Sequence, residues 1–257
     1  MSTDLGIGGD TGIDLDVVVV LVAALWGAAT GALLPRAAYR FSAPAGETWH
    51  EHCPDGHPVR GWLGRARCGR CPTDQASYGP RTASLALATA LVCAALAAAT
   101  GTRPEVAVWL LLAPAGVLLA VVDLKVRRLP DPLTLPLAGA ALVLLGPTAL
   151  VPEHAGEWTT ALLGALALGA GYLVLFLINP AGMGFGDVKL ALTAGAVLGW
   201  YGWPTLMLGT FAGFLLGALY GGALLVARRA DRKTAIPFGP FLIAGAFLGV
   251  LAGAYAA

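Results

Sequence analysis

Charge is what this chain has least of: Asp, Glu, Lys and Arg make up 12% of its 257 residues, against 57% hydrophobic types. A soluble domain carries roughly 25% charged residues, so too few are present to cover a water-facing surface. The net charge of +1 says nothing by itself about nucleic acid, and no nucleic-acid partner is expected. No strand or βαβ pattern is seen either, which excludes the usual nucleotide-binding loops. What fills the chain instead is a series of apolar runs with no charged residue at all, at 17–35, 82–102, 106–122, 132–151, 158–180, 190–227 and 236–257. Runs of about 18 or more apolar residues read as transmembrane helices. The run 190–227 is too long for one crossing, and the cluster Trp200-Tyr201-Gly202-Trp203-Pro204 suits an interfacial turn near its middle. The expected fold is therefore an all-α polytopic membrane protein with about eight transmembrane helices.

The few charges are distributed unevenly. With the amino terminus outside, every Lys and Arg except Arg103 falls in the inside segments 36–81, 123–131, 179–189 and 228–235. The outside segments collect Asp4, Asp10, Asp14, Asp16, Glu105, Glu153 and Glu157. Cytoplasmic loops carry the basic excess of membrane proteins. Both ends are accordingly assigned outside a plasma membrane, and Asp123 and Asp187 to its cytoplasmic face. No basic segment precedes the first apolar run, so that run reads as a retained span and not a cleaved signal. The chain divides into an external tail and first span (1–37), a cytoplasmic module (38–81) and a membrane core (82–257).

The module is the only sizeable polar segment. It holds Cys53-Pro54-Asp55-Gly56-His57 and Arg67-Cys68-Gly69-Arg70-Cys71. One Cys-x3-His and one Cys-x2-Cys supply the ligand types and number of a closed structural zinc site at Cys53, His57, Cys68 and Cys71. His50 or His52 could replace His57, and unliganded thiols on a disordered loop are the plainer alternative. A disulfide is disfavoured in a reducing compartment. Cys93 lies inside an apolar run and reads as a small packing residue.

Two acids sit where charge is expensive. Asp123 closes one apolar run, and Asp187 follows Gly182-Met183-Gly184-Phe185-Gly186 at the boundary between two others. Glycines such as Gly184 and Gly186 let a backbone lie close beside a substrate. If the two carboxyl groups approach closely they cannot both ionise, and a shared proton lets one activate water while the other acts as the acid. The alternatives are an interfacial carboxylate paired with arginine at Asp123 and a simple helix cap at Asp187. Asp131, directly before Pro132, has the form of an N-cap, with Thr134 also serving helix entry. Lys189 could screen the charge of Asp187 or point to lipid headgroups. A small cation- or proton-coupled transporter is the rival reading, although no internal duplication supports it.

Four segments together resemble the type IV prepilin peptidases, the GxGD family of membrane aspartic proteases. They are Gly184-Phe185-Gly186-Asp187-Val188-Lys189-Leu190; Asp123 with Leu129-Pro130-Asp131-Pro132-Leu133-Thr134-Leu135-Pro136; Ile236-Pro237-Phe238-Gly239-Pro240-Phe241-Leu242; and Arg67-Cys68-Gly69-Arg70-Cys71 with Tyr78 and Pro80. The resemblance implies that Asp123 and Asp187 are the catalytic pair and that Gly184, Gly186, Lys189 and Asp131 belong to the active-site loops. It also implies a prepilin or pseudopilin substrate, with a short basic leader ahead of an apolar helix, cut on the cytoplasmic side after a glycine. Many members then methylate the new terminus with S-adenosylmethionine, an activity linked to the cysteine-bearing loop. The family's module has two Cys-x2-Cys pairs, whereas this chain keeps one and offers Cys53 and His57 in place of the other. Proteolysis needs no cofactor; whether methylation survives stays open, and nothing in the chain specifies an oligomeric state. Membrane lipids are the remaining expected partners.

Overall fold

The computed structural model describes residues 15–44, 46–72, 76–180, 182–227 and 237–257. Asp4, Asp10, Asp14, Arg228, Arg229, Arg232, Lys233 and Ile236 lie outside the described residues. Eight helices follow one another: α1 (Leu15–Phe41), α2 (Thr82–Thr100), α3 (Glu105–Val126), α4 (Asp131–Thr148), α5 (Trp158–Ile178), α6 (Phe185–Trp200), α7 (Trp203–Val226) and α8 (Gly239–Ala256). Among the described residues there is no strand, only isolated bridges at His52–Pro58 and Arg67–Ser77. Seven of the helices are long and apolar enough to cross a membrane. A chain whose backbone must satisfy its own polar groups in hydrocarbon is driven to helix, and this one is a multi-pass all-α membrane protein.

The exception in length is α6, with 16 residues. It is also the helix most enclosed by others, with Asp187 and Val188 at its start and Leu198, Gly199 and Trp200 at its end all buried. The turn after it falls where the aromatic and glycine cluster predicted: Gly202 takes φ +93°, and Trp203-Pro204 open α7. That φ lies in the region glycine enters without steric penalty.

Small residues let the helices approach closely. A Cβ on Gly164 of α5 would lie 2.6 Å from the Gly195 carbonyl oxygen of α6. Gly209 of α7 and Gly245 of α8 face each other in the same manner. Such contacts hold α6 in the middle of the bundle, against α4, α5, α7 and α8.

At one end of the bundle, Glu105 of α3 is wholly buried and accepts the Ala155 N–H at 3.4 Å, with Arg103 at 3.9 Å. Asp123 closes the same helix 18 residues later, about 27 Å away at 1.5 Å per residue. The polar module gathers at the Asp123 end. Helix α1 runs on to Phe41, so Arg36 and Arg40 are helical residues and not loop residues. Arg36 donates to the carbonyls of Arg60 (2.8 Å) and Arg65 (3.3 Å), and Arg40 to that of Gly61 (3.0 Å) while its guanidinium lies 4.0 Å from the Trp62 ring. Arg128, just past Asp123, donates to the Pro44 carbonyl at 3.0 Å and stacks over Trp49 at 4.5 Å. The module is thus fastened to the same face that carries the aspartates.

Candidate active site

Asp123 sits in the last turn of α3, and both its neighbour Val122 and its own side chain are buried, the latter with 4% of its surface exposed. Its Oδ2 accepts one backbone hydrogen bond, from Gly239 N–H at 3.1 Å. Gly239 is the first residue of α8, and Pro240 follows it, so the donor comes from the positive end of a helix. The site also excludes a side chain there: a Cβ on Gly239 would come 2.7 Å from Asp123 Oδ2.

Asp187 is 6% exposed and is the third residue of α6. Its carboxylate turns back to accept Gly184 N–H at 3.2 Å, while its own N–H donates to the Gly184 carbonyl at 3.0 Å. The helix begins at Phe185, with Asp187 inside its first turn and not at the N-cap, because this reciprocal pair caps it. Gly186 therefore lies in the first turn, where a Cβ would meet Leu129 Cβ at 2.9 Å. Leu129 also stands 3.3 Å from where a Gly239 Cβ would be. One leucine thus packs against both glycines, drawing α6, α8 and the α3–α4 connection together. Each aspartate keeps one capped oxygen, and Asp187 lies in the electrostatic field of Asp123.

The other two loop residues find each other. Lys189 Nζ lies 2.6 Å from Asp131 Oδ1 and 5.0 Å from the Phe185 ring centre. Asp131 is the first helical residue of α4, with Pro130 at the N-cap, so its carboxylate serves an ion pair and no side-chain cap is made. Thr134, fully buried, donates to the Pro130 carbonyl at 3.4 Å.

Alongside the aspartates runs an apolar cavity of about 350 Å³, lined near them by Ala120, Val121, Leu190 and Pro240 and farther off by Trp109 and Val250. Tyr172 of α5, 1% exposed, stands among Leu129, Val188 and Leu190 and between the rings of Phe214 (5.7 Å) and Phe238 (6.0 Å). The sequence reading passed over Tyr172, Leu129 and the role of Gly239. Only Gly239 carried a signal, a glycine between Pro237 and Pro240 at the mouth of an apolar run; a buried leucine or tyrosine in an apolar chain carries none.

In the module, Cys53, His57, Cys68 and Cys71 offer ligand atoms all within 4.8 Å of one another. Cys53 Sγ and Cys71 Sγ are 3.7 Å apart, and His57 Nδ1 is 3.6 Å from the first and 3.4 Å from the second. Zinc–sulfur bonds of about 2.3 Å and zinc–nitrogen bonds of about 2.0 Å in a tetrahedron call for edges of about 3.5–3.8 Å. Cys53, His57 and Cys71 come close to those edges and Cys68 lies within 4.8 Å of each, so the donor types and their convergence suit that ion. The backbone N–H of Arg70 holds the Cys68 thiol below its ordinary range, whereas the side chain of Asp55 pushes that of Cys71 up. Neither rival histidine joins them. His50 stacks on Tyr39 at 4.8 Å with Nε2 3.2 Å from the Ser42 carbonyl, and the backbone carbonyl of His52 accepts the Tyr39 hydroxyl at 2.7 Å.

The description "type IV leader peptidase family" matches residues 107–222, a stretch holding both aspartates, Leu129, Tyr172 and the glycine loop. The prepilin leader peptidase/N-methyltransferase of Pseudomonas aeruginosa is 33% identical over 219 residues, 78% of this chain and 71% of that protein. Its namesake in Aeromonas salmonicida is 36% identical over 206 residues, 76% and 66% of the two chains. That of Stutzerimonas stutzeri is 31% identical over 212 residues, 79% and 72%. No solved structure matches this chain significantly. The similarity thus runs through the helices that build the aspartate pair and through most of the chain, which belongs to the type IV leader peptidase family.

Proposed function

We propose that this chain is an aspartic endopeptidase that removes the short basic leader from prepilin- or pseudopilin-like precursors at the cytoplasmic face of the bacterial plasma membrane, with Asp123 and Asp187 as its catalytic pair. The family membership supports proteolysis over a cation- or proton-coupled transporter. The observation that supports the reading is a pair of buried carboxyl groups, at the end of α3 and the start of α6, each bonded by one backbone N–H and each beside a glycine that packs on Leu129. Burial makes simultaneous ionisation costly, so one proton is shared between them. The ionised member takes a proton from water as the water oxygen attacks the peptide carbonyl carbon. The protonated member gives its proton to the carbonyl oxygen. The tetrahedral intermediate then collapses: the C–N bond breaks, the leaving amine takes the proton the first carboxylate had accepted, and one hydroxyl of the intermediate returns its proton to the second carboxylate as the new carboxyl group forms.

The surroundings support such a substrate. The cavity lined by Val121, Leu190 and Pro240 would receive apolar side chains on the membrane side of the scissile bond. Basic residues of a leader would wait on the opposite side, where the module stands. The orientation follows the basic segments flanking both aspartates, Lys125 to Arg128 and Lys189. In the module, Cys53, His57, Cys68 and Cys71 would hold one zinc ion as a closed structural site that stiffens the loop. Their convergence supports a metal-binding module over unliganded thiols on a disordered loop. Methyl transfer from S-adenosylmethionine to the freed terminus is the finer part of the proposal, drawn from the relatives' name. The described residues identify no side-chain set for that donor.

Co-expression with a prepilin carrying a basic leader tests the reading by mobility shift. Cleavage is expected with the parent chain and should disappear with Asp123→Asn or Asp187→Asn at unchanged abundance and membrane insertion. A variant that still cleaves removes its residue from the mechanism. Labelled methyl donor in the same reaction tests the second activity.

A further inference from the structure

Tyr172 presents a hydroxyl that is buried, 1% exposed as a residue, and without a hydrogen-bond partner among the described residues. A desolvated donor left unmade is destabilising, and a phenylalanine would fill the same space without that cost. The ring is fixed by two others, Phe214 at 5.7 Å and Phe238 at 6.0 Å, and Phe214 and Phe238 themselves meet at 5.1 Å. Phe238 immediately precedes Gly239, whose N–H holds Asp123. Tyr172 shares a packed cluster with Val188, which follows Asp187, yet the Asp187 carboxylate bonds Gly184 and not the tyrosine. The tyrosine is thus packed against Val188, the neighbour of Asp187, and against Phe238, the neighbour of the Gly239 that holds Asp123, with its hydroxyl bonded to neither aspartate. Met183, a flexible side chain in the glycine loop, packs on the same cluster as its partly exposed cover.

We propose that Tyr172 is a third catalytic residue, whose hydroxyl donates a hydrogen bond to the scissile carbonyl oxygen as the tetrahedral intermediate forms. This deepens the peptidase reading and rests on it. The phenol keeps its proton throughout: the carbonyl oxygen gains a proton from the acidic aspartate, and the tyrosine supplies only a fixed dipole toward the charge that builds there. A donor set in place beforehand in a water-poor site stabilises that charge without reorganising. Its partner arrives with the substrate, which explains why the hydroxyl is orphaned in the free protein.

Purified enzyme in lipid or detergent, assayed with a synthetic prepilin, tests this with Tyr172→Phe. The ring packing is kept, so melting temperature and KM should match the parent, while kcat falls on the order of 100-fold, as for loss of one such donor elsewhere. A peptide carrying a hydroxyl-bearing tetrahedral mimic at the cleavage site should lose affinity for the variant, whereas uncleaved substrate should not. Unchanged kcat overturns the proposal. So does a fall in kcat accompanied by a lower melting temperature and equal losses for substrate and mimic, which would assign the hydroxyl to packing. Asp123→Asn and Asp187→Asn run alongside. If they are inactive and Tyr172→Phe is not, only the tyrosine inference falls; if they cleave normally, the peptidase assignment of the pair falls and takes this inference with it.

Discussion

Gly239 donates its backbone N–H to Asp123 Oδ2 across 3.1 Å, joining the first residue of α8 to the last turn of α3. The bond fixes the carboxyl group's rotamer, and the absent side chain leaves room for it. Gly239→Ala would put a Cβ 2.7 Å from that oxygen, closer than such contacts allow. The carboxyl group cannot yield without giving up its hydrogen bond from Gly239. A displacement of about 1 Å in a reacting group can cost 100-fold in rate. Prepilin cleavage by Gly239→Ala should therefore fall by about that order, while abundance and helix content stay at parent levels in the membrane fraction.

A similar constraint applies to Gly186, with a different neighbour. Its Cβ would meet Leu129 Cβ at 2.9 Å, so Gly186→Ala should push the α3–α4 connection away and slow cleavage. Here the obstacle is a side chain that can be shortened. Leu129→Ala opens a cavity, which typically costs about 2–5 kcal/mol in a core, but should accept the added methyl. Contacting residues give non-additive effects, so the double variant should be faster and more heat-stable than the sum of the single changes predicts. A double-mutant cycle on cleavage rate and melting temperature measures it; strict additivity would show that Leu129 does not make this contact.

The all-helical fold, the break between α6 and α7 at Gly202 and the position of each aspartate at a helix end were legible from charge-free runs and breaker residues. Those are local signals, written in composition. The pairing of Asp123 with Asp187 came from chemistry and from the family resemblance, because no property of either segment encodes its distance from the other. Neither the hydrogen bond from Gly239 nor the leucine packed against two glycines leaves a trace in an apolar pattern. Helix starts were also displaced. Asp187 caps α6 from its third position by folding back to Gly184, which sequence alone does not separate from a cap at the first. In the module, spacing named the ligand types but left three histidines open, and only the stacking of His50 on Tyr39 and the facing of His57 to Cys53 and Cys71 divide them.

Lys189 and Asp131 tie α6 to α4 beside the site through a 2.6 Å ion pair, with the aspartate side chain 66% exposed. Exposed pairs contribute about 0–1 kcal/mol, so the pair's role in stability should be small. Asp131→Ala and Lys189→Ala should each shift the melting temperature little, and high salt should change it little further. If the pair instead orients the start of α6, cleavage will drop in both single variants and recover in the charge-exchanged Asp131→Lys/Lys189→Asp chain. Recovery of rate without a change in melting temperature separates orientation from stability.

The cysteine module offers a test that leaves the aspartates untouched. Zinc binds thiolate and neutral imidazole, so protons compete with it and affinity falls as pH falls. The purified protein should carry one zinc per chain at neutral pH, lose it on acidification or with a strong chelator, and take it up again on neutralisation. Cys71→Ser should lose the metal, since Cys71 faces both Cys53 and His57. His50→Ala should retain it, because that ring is occupied by Tyr39 and the Ser42 carbonyl. Binding of a structural ion adds to folding free energy, so metal loss should lower the module's resistance to protease. Arg128 anchors the module through the Pro44 carbonyl, yet no ligand touches either aspartate. Cleavage of prepilin should therefore persist in Cys71→Ser at a reduced rate, and metal content by elemental analysis, read beside protease resistance and cleavage, checks all three. Retention of zinc in Cys71→Ser, or its loss in His50→Ala, would reassign the ligand set.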